Sequence, residues 1–210
     1  MKSLDKKLKT IASGKYKPAD FILADAKDPE YAFGCRGTGA IDYLDQSGPH
    51  RTVDQFRDQI RGIVKQKQMD IMLGAVANIE ALAAEGLFEK SLVTPAIRAN
   101  DTTDIWLPRG SSFAKQMSRP WRTANLAHVR KFCDLGLYSV TFNNDLDHDY
   151  ATVAAYRDFR EDAVKNKFRH FLEVFNPNAP QNLDPEMMPF FVNDMIVRVL
   201  TGTTRAERPG

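Results

Sequence analysis

The segment FLEVF, residues 171–175, sets one carboxylate, Glu173, between apolar neighbours. A carboxylate there is costly to desolvate unless it is paired or protonated, so a cation is expected across from it. A salt bridge inside a sheet meets that demand. So does an acid/base group serving a reaction, which is the reading a charge this deep in an apolar strand favours. Other short stretches carry related chemistry. In ILADAKD, Asp25 and Lys27 are two residues apart, which on a strand puts them on one face. They read as a structural ion pair or as a lysine that can lose its charge and attack a carbonyl. In IRAND, Arg98 and Asn100 share a face and Asp101 follows, a set suited to orienting a polar substrate. In VTFNND, Thr141, Asn143 and Asp145 share a face, with Asn144 between. Asn176 and Asn178, after FLEVF, close Asx turns or hydrogen-bond a hydroxylated ligand. Asn143, Asn144 and Asp145, with Asp147, His148 and Asp149, suit a hard cation such as Mg²⁺, or else Asp147 or Asp149 caps the next helix. His148, among them, is expected at the surface.

The elements that must position these residues follow from hydrophobic patterning. Apolar runs at 21–28, 69–75, 92–99, 137–145 and 171–175 have the length and the β-branched or aromatic content of strands. Amphipathic segments separate them. Thr52 with Gln55 three residues on predicts a capped helix carrying Phe56, Ile60 and Ile63. Asn78 precedes a second, short helix, and Thr123 starts a third that Gly136 stops. A fourth runs from about Asp149 through Ala163, and a fifth carries Met188, Phe191, Met195, Val199 and Leu200 and ends at Gly202. Strand followed by helix, repeated, specifies an α/β fold with a parallel sheet and helical crossovers. Polar residues gathered at the carboxyl ends of the strands point to a (β/α)8 barrel of TIM type, incomplete at five βα units; the alternative is an open parallel α/β sheet. Residues 1–20 read as an N-terminal extension or short solvated helix. Residues 21–210 read as a single βα domain lacking the last strands.

Between the third strand and the third helix runs a loop, residues 99–122, far longer than such connections usually are. Its Trp106, Phe113 and Trp121 argue for order. Its Arg109, Lys115, Arg119 and Arg122 suit a phosphate or carboxylate substrate, or equally a solvated rim or subunit interface. The segment FGCRGTGA, residues 33–40, has Gly37 and Gly39 but not the dinucleotide-binding spacing, so it reads as a turn or lid and no cofactor is expected. With 43% hydrophobic and 27% charged residues and a net charge of +2, the composition is that of a globular chain with no pull toward nucleic acid or an acidic membrane. No run reaches the length of a membrane span. Cys35 and Cys133 form neither a metal spacing nor a disulfide framework, which fits a reducing cytoplasm. An unpaired parallel edge invites association, so a homo-oligomer is expected.

Taken in order on successive strands, ILADAKD, VTPAIRANDTTD, SVTFNND and FLEVFNPN resemble the Schiff-base (class I) aldolase barrels, the group of tagatose-bisphosphate and deoxyribose-phosphate aldolase. The resemblance covers most of the chain and is specific at those strand ends. It implies that Asp25, Asn143 and Glu173 surround an imine-forming lysine on a sixth strand, past Gly210. It further implies that Glu173 is the acid/base partner of that lysine and that Asp25 tunes it or handles the substrate hydroxyl. Arg98, Asn100, Asp101, Asn144, Asp145 and Asn176 would then bind a small hydroxylated or phosphorylated carbonyl compound, with Lys27 the amine available within these residues. The expected activity is a carbon–carbon lyase. A metal-assisted isomerase or lyase using Asp145 and Glu173, and a non-catalytic barrel fragment acting through oligomerisation, remain the alternatives.

Overall fold

The computed structural model describes residues 1–42, 44, 47–102 and 115–210. The chain is an α/β protein whose five strands form one parallel sheet in chain order: β1 (Ala24–Lys27), β2 (Ile71–Gly74), β3 (Thr94–Arg98), β4 (Leu135–Thr141) and β5 (Arg169–Phe175). Among the described residues the helices are α1 (Ser3–Ala12), α2 (Glu30–Phe33), α3 (Val53–Gln66), α4 (Val76–Ala84), α5 (Leu126–Val129), α6 (Leu146–Lys165) and α7 (Met188–Thr201). The chain divides into two compact units, Met1–Arg98 with Lys131–Leu135 and Ala99–Arg130 with Gly136–Gly210.

In the first unit β1 pairs with β2 and β2 with β3, both parallel, in the register Ala24↔Ile71 and Ile71↔Thr94. β2 is buried along its whole length, the pattern of a central parallel strand. α3 begins with the expected capping box: Thr52 Oγ1 accepts from Gln55 N at 3.2 Å, and Gln55 Oε1 accepts from Thr52 N at 2.8 Å. Its buried residues, Phe56, Ile60 and Val64, recur every fourth position and make the face that packs. Asn78 lies inside α4 and is buried there instead of preceding the helix, because Ala75 takes the start. α1 is fastened by its lysines. Lys2 Nζ donates to Ser91 O at 2.8 Å, and Lys7 Nζ donates to Asp70 at 2.6 Å. Burial pushes the Asp70 carboxyl up, but the Leu23 amide and Lys7 prevail and hold it below the usual carboxylate range.

In the second unit β4 is buried throughout its length. α6 lays Tyr156, Phe159 and Ala163 into the core, and the Tyr138 ring packs at 4.3 Å from Phe159 and 5.1 Å from Tyr156. α6 starts at Leu146, earlier than the pattern from Asp149 suggests, because Asp145 is its cap and accepts from His148 N at 2.9 Å. His148 is consequently buried in the first turn, not exposed. α5 is a single turn capped by Asn125, not Thr123, and Gly136 belongs to β4 rather than to a helix stop. The tail after α7 is tied down by Arg160, which donates to Glu207 at 2.8 Å, and by Gly210 N, which donates to His170 O at 2.8 Å.

Candidate functional site

The strand ends carry two polar clusters, one in each unit. In the first unit, Asp25 and Lys27 share a face of β1 as alternation requires, and Lys27 Nζ donates to Asp25 Oδ1 at 2.8 Å. Each side chain is 28% exposed, so the pair is reachable by solvent and by a small molecule. One residue on, the nearly buried Asp28 pairs with Arg98 at the end of β3. Tyr31 Oη donates to the Arg98 carbonyl at 3.0 Å, and the guanidinium stands 6.0 Å from the Tyr31 ring centre. Arg98 is thus oriented by a carboxylate and an aromatic ring. Asp28 and Tyr31, which do the orienting, carry no spacing signal that marks them in the sequence.

The second unit builds its cluster from Asn100. That residue is wholly buried; its Nδ2 donates to Ser139 O at 2.8 Å and its Oδ1 accepts from Ser139 N at 2.7 Å. A side-chain amide here takes up both backbone groups of a β4 residue. Ser139, so fixed, donates its hydroxyl to Glu173 Oε2 at 2.9 Å. Glu173 is half-buried on β5, with a directed donor on one oxygen. Beside Asn100, Asp101 accepts from Thr102 N at 2.7 Å and exchanges backbone hydrogen bonds with Trp121. The Thr102 and Thr141 hydroxyls are 2.8 Å apart.

Asn143 is engaged on every side. Its Nδ2 donates to Asn178 Oδ1 at 3.1 Å, its Oδ1 accepts from Ala179 N at 2.8 Å, and its backbone N donates to Asp149 at 2.8 Å. It therefore ties the chain after β4 to the chain after β5. Asn178 extends the same tie, accepting from Ser118 N and donating to Gln116 O. Burial raises the Asp149 carboxyl even though the Asn143 amide works against it. Asn144 stands in the left-handed region at φ 58° and donates to Gln181 O at 2.8 Å. Asp145 turns its carboxylate onto its own helix, and Asn176 is exposed.

Of the basic loop residues, Arg122 is paired with Asp162 at 3.0 Å, and Lys115 and Arg119 are exposed. Trp106, Arg109 and Phe113 lie outside the described residues. Among the described residues no group of three or more His, Cys, Asp or Glu side chains is set to hold a metal ion, and no helix is long and apolar enough to cross a membrane. Cys35 is exposed and Cys133 buried, and neither is in a disulfide. The class defined by these observations is a parallel-sheet α/β protein with charged and amide groups at its strand ends. Compared with models of known families and with curated proteins, the chain matches none.

Proposed function

We propose that the chain is an aldolase-like lyase of the (β/α)8 lineage, acting on a small hydroxylated or phosphorylated carbonyl compound. The observation that carries this reading is the half-exposed Lys27–Asp25 pair at the carboxyl end of a parallel strand, where ligands of such sheets bind. In this reading the Lys27 amine, uncharged after giving a proton to Asp25, adds to the substrate carbonyl carbon. The carbonyl oxygen leaves as water and an imine forms. The imine draws electrons from the neighbouring carbon–carbon bond, and a carboxylate takes the proton of the hydroxyl whose carbon becomes the released aldehyde. Asp25, its proton passed to the departing water, is the carboxylate that the first unit supplies for that step. Arg98, oriented by Asp28, offers a fixed cation for a phosphate or carboxylate.

The test is mass spectrometry of the chain after incubation with dihydroxyacetone phosphate and borohydride, followed by peptide mapping. One reduced adduct on Lys27, abolished in Lys27→Met, is the expected result. A chain left unlabelled, or an adduct that persists in Lys27→Met, overturns Lys27 as the nucleophile.

A second reading, association between copies of this chain, is favoured by α7. That helix buries only Val199 while Phe190 and Val197 are each 64% exposed. Sedimentation of wild type beside Phe190→Asp tests it: a wild-type oligomer that the variant dissolves supports association, and a wild-type monomer at high concentration sinks it.

A further inference from the structure

The segment leaving β1 is held by a side-chain network that the lyase reading does not use. Glu30, the first residue of α2, turns one carboxyl oxygen to Asn78 Nδ2 of α4. Its other oxygen is buried and, among the described residues, has no hydrogen-bond partner. Asn78 is itself buried and accepts from Arg57 Nε of α3 at 3.0 Å, and Arg57 lies 3.5 Å from the exposed Asp54. Asp28 also acts on Glu30, and its charge is taken up by Arg98 of β3. The following 3-10 turn, Gly34–Thr38, rests directly on Glu30: a Cβ added at Gly37 would come 2.7 Å from Glu30 N. The Glu30 side chain thus pins residues 29–39 to α4, and one of its two oxygens lacks the donor that an ionised carboxylate demands.

We propose that Glu30 is a proton-operated latch: with a neutral carboxyl it closes residues 29–39 onto α4, and with an ionised one it lets that segment open. An orphaned neutral oxygen is tolerable in the interior, whereas an ionised carboxylate given a single side-chain donor is not. The charges facing the group are Asp28, which opposes ionisation, and Arg57, which favours it; Arg98 is occupied by Asp28. Burial outweighs the hydrogen bonds from Asn78 and the local backbone and raises the Glu30 carboxyl above the ordinary glutamate value. The sign follows. The closed state keeps a proton that the open state releases, so closure is strongest below the ordinary value of about 4.3 and weakens as pH rises toward the raised one. The latch stands whether or not Lys27 is a nucleophile.

Amide hydrogen exchange of the full chain between about pH 4 and pH 8, corrected for the intrinsic rate, tests it. Protection of residues 29–39 falls by up to about tenfold per pH unit and then levels off, while that of α4 stays constant. Glu30→Gln, uncharged at every pH, removes the dependence. Asn78→Leu leaves the segment open already in acid. A flat wild-type profile overturns the latch, as does an unchanged slope in Glu30→Gln. Should Glu30→Gln fail to fold, Asn78→Leu decides: a wild-type slope surviving there also overturns the latch.

Discussion

At the residue scale, the chain's polar strand ends are built by amides that stand in for backbone. Asn100 supplies a donor and an acceptor to the backbone of Ser139, fixing in place the residue whose hydroxyl donates to Glu173. Replacing Asn100 with leucine keeps the volume but leaves a buried N–H and a buried C=O unpaired. The expected loss is about 2–5 kcal/mol of unfolding free energy, read by urea titration. A loss below about 1 kcal/mol would mean that solvent reaches Ser139 after all. The sequence foretold part of this arrangement. Glu173 announces itself because a charge in FLEVF is anomalous, and Asp25 with Lys27 because strand alternation brings them to one face. Asn100 is legible only as a polar residue at a strand end. That it holds a serine one strand further on depends on pairing between segments 39 residues apart, which no local pattern encodes. The pairings of Asp28 with Arg98 and of Glu30 with Asn78 were invisible for the same reason, since the partners are 70 and 48 residues apart in the chain.

At the element scale, the boundaries that sequence reveals are those set by local hydrogen bonds. The Thr52–Gln55 box marks the start of α3 because both partners lie within one turn. The start of α6 was misplaced because Asp147 and Asp149, read as caps, lie inside the first turn, and the path of the chain after β4 makes Asp145 the cap. Two glycines separate local preference from tertiary constraint. Gly62, exposed within α3, has nothing within 4 Å of an added Cβ, so Gly62→Ala should stabilise by roughly 0.5–1 kcal/mol through helix propensity. Gly37 meets backbone atoms of Glu30 and Pro29 at 2.7–2.9 Å, and backbone cannot swing aside. Gly37→Ala should therefore cost roughly 1–3 kcal/mol and loosen residues 29–39 first. Thermal melts of the two variants, run beside wild type, must move in opposite directions; a shared sign would remove the contact between the 3-10 turn and Glu30 from the account.

At the scale of the whole molecule, composition and strand–helix alternation specify a parallel α/β sheet, and that much is observed in five strands. How the molecule responds to acid depends instead on buried titratable groups, chief among them His170 in the second unit. His170 Nε2 lies 2.8 Å from Tyr156 Oη, and the Phe159 ring meets the imidazole edge-on at 5.2 Å. Burial first, and the charge of Arg160 second, push the imidazole down to about 4. A base whose folded value is depressed is charged more readily after unfolding. Stability is therefore complete above the ordinary histidine value of about 6.5 and falls as pH drops from there toward about 4, by roughly 3 kcal/mol in all. Glu30 and Asp149, raised by burial, act in the opposite sense over part of the same window, so the wild-type profile alone is a sum. His170→Gln isolates the histidine, because glutamine keeps an acceptor for Tyr156 and does not titrate. Unfolding free energies followed by the near-ultraviolet signal of Tyr138 and Tyr156 should converge between the two proteins as pH falls from about 6.5 to about 4. Parallel profiles across that window would show that His170 takes up its proton in the folded protein without penalty, and the acid sensitivity would then have to come from carboxylates alone.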